Sequence, residues 1–318
     1  MKTLVTGAAG FIGSHLTEAL LARGAEVVGI DSLCANYDVR FKRENLNSLE
    51  KKKGFSLIEG DLNELDLDGI LEGVDYVFHL AAWAGVRDSW DSLFDSYVDA
   101  NIRATQRLCE AARNKGVRRF VYASSSSVYG ETQELPMSET HPTCPVSPYG
   151  VTKLSGEALC LLYRSNFGLP VVALRFFTVF GPRQRPDMAF HRFIRAGLDE
   201  QPVAVFGNGT QTRDFTFVSD IVEACTLAME YDGDESVFNV GGGTRIALNA
   251  ALDIISGILP RGLDVRYEGR AKGDVTHTYA DISLARGELG YAPKTTVEEG
   301  LAMEAEWLQA TLKRLIGD

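Results

Sequence analysis

The segment Thr6-Gly7-Ala8-Ala9-Gly10-Phe11-Ile12-Gly13 constrains this chain more than any other. It follows a β-branched, apolar run, Thr3 to Thr6, and opens a stretch of helical period from Phe11 to Arg23. Glycine at 7 permits a tight turn, glycine at 10 lets backbone approach a pyrophosphate, and glycine at 13 lets the helix pack closely on the sheet. A helix that starts this way presents free N–H groups and a partial positive charge to an anion. The flanking strand and helix lift this turn above a chance glycine cluster.

The rest of the first half continues the rhythm. Strand-like runs at Glu26 to Ile30, Ser56 to Ile58, Tyr76 to Leu80, Phe120 to Ala123 and Val171 to Phe176 alternate with helical segments. Those segments are Arg40 to Lys52, Leu65 to Leu71, the long Ser92 to Lys115, and Ser147 to Phe167. Right-handed crossovers at this spacing predict an α/β fold, a Rossmann-type doubly wound parallel sheet covered on both faces. After Phe177 the rhythm changes, with Gly181-Pro182 and the turn Phe206-Gly207-Asn208-Gly209-Thr210. The expected organisation is a nucleotide-binding domain over 1–176, with 217–241 returning to it. A smaller C-terminal α/β substrate domain takes 177–216 and 242–318, with a ligand cleft between the two.

Against 43 acidic residues stand 32 Lys and Arg, a net charge of −11, which disfavours nucleic acid or an anionic membrane as partner. The five cysteines, Cys34, Cys109, Cys144, Cys160 and Cys225, contain no C-x-x-C pair, so core packing in a reducing cytoplasm is expected. No apolar run reaches membrane-spanning length, and the first residues lack a signal-peptide layout.

Asp31 ends the second strand, where a carboxylate can accept from both hydroxyls of an adenosine ribose. A 2′-phosphate would meet like charge there, so NAD is expected rather than NADP. A turn aspartate in water is the plain alternative. Asp61, beside Leu62, ends the third strand and can bond the adenine. His79-Leu80-Ala81-Ala82 ends the fourth with small side chains that leave room for a dinucleotide, and His79 itself is expected to bond locally rather than to catalyse.

Tyr149 and Lys153 stand four apart and share a helix face. A nearby fixed cation favours phenolate, as does the positive nicotinamide of NAD⁺, so the tyrosine pKa is expected to fall from about 10 toward working pH, giving a general base. The run Ser124-Ser125-Ser126-Ser127-Val128-Tyr129-Gly130 follows the fifth strand and brings hydroxyls to the carboxyl edge of the sheet.

With these features the chain resembles the extended short-chain dehydrogenase/reductase family, specifically its nucleotide-sugar epimerases. The likeness runs through the glycine turn, Asp31, the His-Leu-Ala-Ala segment, Asn101, the serine run, Tyr149 with Lys153, Arg213-Asp214 and Tyr279-Ala280-Asp281-Ile282-Ser283. It implies a catalytic set of Tyr149, Lys153 and Ser125, with Lys153 also bonding the nicotinamide ribose. The implied NAD site takes in Gly7, Gly10, Phe11, Ile12, Gly13, Asp31, Asp61, Leu62, Leu80, Ala81 and Ala82 as well as Tyr149 and Lys153.

Family relatives that dehydrate hexoses carry an Asp-Glu pair where this chain has Ser126-Ser127, and uronate decarboxylases usually carry Glu at the position of Ser127. Epimerisation at carbon 4 needs neither carboxylate. Phe176-Phe177-Thr178 followed by Arg185-Pro186-Asp187-Met188-Ala189 resembles the UDP-glucuronate 4-epimerases, as do Asn36-Tyr37-Asp38 and Ala84-Gly85-Val86-Arg87. A uronate carboxylate wants hydroxyl donors or an arginine, and Ser126, Ser127, Thr178 and Arg185 offer both; a mere loop pair of Arg185 with Asp187 is the alternative. Arg213 resembles the family's diphosphate arginine and Asp274 its uridine-ribose carboxylate. The usual second arginine is displaced to Arg270, and Arg87 completes the substrate set. The function implied is NAD-dependent 4-epimerisation of UDP-glucuronate to UDP-galacturonate. The alternatives are a UDP-glucose or UDP-N-acetylglucosamine 4-epimerase, a UDP-glucuronate decarboxylase, or a non-catalytic NAD-binding regulator. Exposed-looking Leu108, Leu159, Leu162 and Tyr163 on two helices suggest a homodimer built through a four-helix interface.

Overall fold

The computed structural model describes residues 1–132, 134–269 and 273–316. Six strands lead the sheet in chain order: β1 (Lys2–Thr6), β2 (Glu26–Asp31), β3 (Phe55–Glu59), β4 (Tyr76–His79), β5 (Arg119–Ser125) and β6 (Val171–Phe176). The strand Val237–Val240 pairs parallel with β6, and the spatial order is Val237–Val240, β6, β5, β4, β1, β2, β3. Every neighbouring pair is parallel. The sheet is Rossmann-like, and chain order reverses between β1 and β4, which opens a crevice at their carboxyl ends. β5 and β6 are buried along their whole length, as strands covered on both faces must be. Beyond the sheet, Val203–Phe206 pairs parallel with Val265–Glu268, and Thr212–Asp214 pairs antiparallel with Arg245–Ala247.

Local chemistry sets the helix that carries the tyrosine. Ser147 accepts from the Gly150 amide at 3.1 Å, Pro148 occupies the first turn, and Gly168 closes the helix Pro148–Phe167 with φ of 70°. The segment expected as one long helix from Ser92 to Lys115 is divided instead into Phe94–Val98, a π-helical turn at Asp99–Arg103, and Ala104–Ala112. The turn is explained by Asn101, which is buried and spends its amide on backbone across the crevice. Its Oδ1 accepts from the Trp83 amide at 2.8 Å, and its Nδ2 donates to the Trp83 carbonyl at 2.9 Å and to Thr152 Oγ1 at 2.9 Å.

Two of the residues expected on a dimer face belong to the chain's own interior. Leu108 is fully buried, and Tyr163 is buried with its hydroxyl donating to Glu110 at 2.6 Å and accepting from Gln106 at 2.9 Å. Helical period alone cannot separate an inward stripe from a partner-facing one. The exposed apolar side chains of this region are Val151, Leu162 and Phe167, with Trp90, Leu93 and Phe94. All five cysteines are free; Cys109, Cys160 and Cys225 are buried, whereas Cys144 is exposed.

Candidate functional site

At the carboxyl edge of β1 the glycine turn is held by backbone. The Gly7 amide donates to the Ile30 carbonyl at 2.7 Å and the Gly10 amide to the Gly7 carbonyl at 3.0 Å. Gly7 has φ of 73°, and a Cβ there would stand 2.9 Å from the Ala81 nitrogen. A Cβ on Gly13 would collide with the Gly7 carbonyl oxygen. Among the described residues no side chain caps helix α1 (Phe11–Ala22), and Phe11 and Ile12 of its first turn line the cavity. Uncapped first-turn amides and a cradle that tolerates no side chain fit a dinucleotide pyrophosphate. Asp31, at the tip of β2, is 8% exposed; its carboxylate accepts from the Ala9 and Leu33 amides at 3.1 and 2.9 Å and still borders the cavity.

That cavity measures about 980 Å³, the upper end of ordinary ligand pockets. It brings together nearly all the residues singled out from sequence. Gly7, Gly10, Phe11, Ile12, Gly13, Asp31, Asp61, Leu62 and Leu80 to Ala82 line one part. Ser125, Ser126, Ser127, Tyr149, Lys153, Thr178, Arg185, Arg87 and Asp274 line the rest. Arg213 stands apart, in a smaller adjoining cavity of about 150 Å³ shared with Ser126, Ser127, Thr178 and Asp274. Its guanidinium donates to the carbonyls of Thr212, Val275 and Thr276 and so braces the segment after Gly273. Arg270 lies outside the described residues. Arg87 and Asp274, expected as separate substrate contacts, pair with each other at 2.7 Å. Arg87 also stacks 4.3 Å over Phe206, a lining residue that sequence reasoning passed over although it opens the turn at 206 to 210. Lys42 was missed too; it is buried, lines the cavity and donates to the Cys34 carbonyl at 2.8 Å.

Within the protein itself, burial opposes the fall expected for the tyrosine. Burial raises the Tyr149 phenol above its ordinary value of 10, and only the nearby Ser125 hydroxyl and the Arg185 charge oppose it. Lys153, four residues on, is buried as well. Its ammonium sits 4.5 Å over the Tyr122 ring, makes no hydrogen bond among the described residues, and is itself pushed down to about 8 by burial. Ser125 Oγ accepts from the Ser127 amide at 3.1 Å, which orients it. Arg185 forms a bidentate pair with Asp187, at 2.9 and 2.7 Å, leaving three of its five N–H donors for other partners.

Behind the cavity, His79 joins β1 to the π-helical turn. Thr105 Oγ1 donates to the Asn101 carbonyl at 2.7 Å, so it accepts from His79 Nε2 at 2.9 Å, and Nδ1 accepts from Thr6 Oγ1 at 2.8 Å. His79 is thus neutral and structural. Burial lowers it to about 3, and lowers His15 and His191 to about 4. Each binds its proton in the unfolded chain near 6.5 but not in the folded one. The stability these rings contribute is therefore whole above 6.5 and is lost as pH falls toward 4. Each should account for about 1.4 kcal/mol per pH unit in that window. Asp214, raised to about 6 by burial, acts in the opposite sense below 6. Urea midpoints between about pH 6.5 and 5 should fall less steeply in His191→Gln than in the parent chain; parallel slopes would contradict the assignment.

A parallel sheet with a glycine cradle at its switch point, and a Tyr-x-x-x-Lys helix face turned on the same cavity, defines a nucleotide-binding enzyme of the short-chain dehydrogenase/reductase type. Comparison with known proteins takes this one step further: the profile of the NAD dependent epimerase/dehydratase family matches residues 3–241, and the chain belongs to that family. It is 47% identical over 313 residues to the Bacillus subtilis protein named uncharacterized UDP-glucose epimerase YtcB, covering 98% of both chains. It is 38% identical to a UDP-glucuronate 4-epimerase of Thermodesulfobacterium geofontis, covering 98% of this chain and 97% of the other. Among solved structures, the UDP-glucuronic acid 4-epimerase of Bacillus cereus, in complex with UDP-glucuronic acid and NAD, superposes with a TM-score of 0.94. That protein is 43% identical, and the match covers 98% of this chain and 99% of the other.

Proposed function

We propose that this enzyme interconverts UDP-glucuronate and UDP-galacturonate by NAD-dependent epimerisation at carbon 4. The observation that carries the reading is the convergence of Tyr149, Ser125, Thr178 and Arg185 with the glycine cradle on one cavity. NAD, held by the glycine cradle and Asp31, would supply reversible hydride transfer at carbon 4 of the sugar. Tyr149 Oη removes the proton from the 4-hydroxyl as that carbon is oxidised and gives it back after the keto sugar has turned its other face. Ser125 holds the same oxygen, and Lys153 holds the nicotinamide ribose. Ser126, Ser127, Thr178 and Arg185 grip the uronate carboxylate. Asp31 holds the adenosine ribose, and Arg87, Arg213 and Asp274 meet the UDP end, for which the Arg87–Asp274 pair has to part.

The 4-keto uronate is a β-keto acid, so the carboxylate contacts also restrain its loss as carbon dioxide. Arg185→Leu should lower kcat/KM for UDP-glucuronate by about tenfold to a hundredfold, the worth of a hydrogen bond to a charged group. It should also let UDP-pentose accumulate among the products, read from anomeric proton signals. Unchanged products and rate would remove Arg185 from the uronate site.

A neutral-hexose reading has its own support in the Arg185–Asp187 pair, which already gives the guanidinium an anion. A panel of UDP-glucuronate, UDP-glucose and UDP-N-acetylglucosamine decides between them, and turnover of UDP-glucose alone would overturn the uronate reading. We further infer a nucleotide-binding domain over 1–176 with 217–241, a UDP-sugar domain from the remainder, and a homodimer. The dimer reading is supported by exposed Leu162 and Phe167 on the tyrosine helix. The free cysteines accord with work in the cytoplasm.

A further inference from the structure

The loop between the short strand Val179–Phe180 and the helix Ala189–Leu198 carries Arg185, yet it is gripped from the cofactor helix. On α1, His15 Nε2 lies 2.8 Å from the Pro182 carbonyl, and because a carbonyl only accepts, the ring donates. One turn further on, Glu18 pairs with Arg183 at 2.8 Å. Glu18 is held in turn by the Ser48 hydroxyl at 3.0 Å and the Lys52 ammonium at 3.6 Å. Between these two grips the backbone goes left-handed at Arg183, with φ of 68°. Arginine has no intrinsic reason to adopt that conformation, and it persists only where the surroundings over-determine it. The next residue, Gln184, is buried and locked: Nε2 donates to the Val179 carbonyl at 3.1 Å and Oε1 accepts from the His191 amide at 2.9 Å. Arg185 then emerges into the cavity.

We propose that His15 and Glu18 are positioning residues for the sugar end of the site: from the helix that bears the glycine cradle, they fix the left-handed turn at Arg183 that aims Arg185. Neither residue lines the cavity, nor do Pro182 and Arg183, so all four act through the loop and not on a ligand. The arrangement ties the loop that carries the carboxylate contact to the helix that bears the cofactor cradle, and so links their separation. It rests on the uronate reading given above.

The test is a double-mutant cycle of Glu18→Gln with Arg185→Leu, assayed on the full chain with UDP-glucuronate. Glu18→Gln alone should raise KM about fivefold to tenfold, change kcat by less than KM, and increase the UDP-pentose fraction, while bound NAD stays at the parent level. In the Arg185→Leu background Glu18→Gln should add almost nothing, because the group it aims is gone. His15→Phe should repeat this pattern if Glu18→Gln folds poorly. Wild-type KM and product ratio in both variants would overturn the proposal, and so would a full additional loss on top of Arg185→Leu. A parent enzyme that turns over UDP-glucose but never UDP-glucuronate would instead sink the functional reading, and this inference with it.

Discussion

Tyr149→Phe should reduce kcat for UDP-glucuronate about a thousandfold while leaving KM and the melting temperature close to those of the parent. General acid–base catalysis by a positioned side chain is worth about 10²- to 10⁴-fold, and in the proposed mechanism the phenol oxygen both takes and returns the proton. Its ring packs edge-on 6.3 Å from Tyr97, a contact that phenylalanine keeps, so a stability effect has little source. The protein alone holds this phenol above 10, chiefly through burial. In the proposed mechanism Ser125 and the Arg185 charge oppose that rise, and the positive ring of a bound NAD⁺ would oppose it further. Following the anomeric protons of UDP-glucuronate and UDP-galacturonate measures the loss directly. A fall of less than tenfold would mean that another group moves the proton.

The second large effect concerns stability. Glu157 and Arg175 form a buried bidentate pair at 2.6 and 3.0 Å. Ser124 also donates to Glu157 at 2.5 Å, and Arg175 to the Tyr129 hydroxyl at 2.8 Å. Glu157→Leu leaves the arginine charged, desolvated and without its carboxylate, and should cost about 3–5 kcal/mol in a urea titration. The double variant Glu157→Leu with Arg175→Leu should recover part of that loss, since two apolar groups leave no stranded charge. A double variant less stable than the single one would show that the pair contributes net attraction beyond its own desolvation.

Sequence made the sheet legible because its signals are local. The glycine turn, Asp31 at the tip of β2 and the four-residue spacing of Tyr149 and Lys153 each state their geometry within one element. The misses share a non-local cause. Whether Leu108 and Tyr163 face a partner or the interior depends on how two helices sit against each other, which neither helix encodes alone. The π-helical turn sits where Asn101 bonds Trp83, on a different segment. Burial opposes the fall expected at Tyr149, an effect of the surrounding walls that its helix does not encode, and Arg213 donates to the Thr276 and Val275 carbonyls, 63 and 62 positions away, which no spacing rule brings to it. The Arg87–Asp274 pair joins residues 187 positions apart.

The π-helical turn at Asp99–Arg103 has a consequence for how the chain can vary. Such a turn accommodates one residue more than a regular helix would over the same span. Deleting that one extra residue would let the coil close into regular α-helix with its two flanks still in phase. Thr105, beyond the turn, would keep His79, whereas Asn101, inside it, would leave Trp83. The helix should therefore survive the loss of one residue here, and the cost should fall on the segment that the Asn101 amide holds.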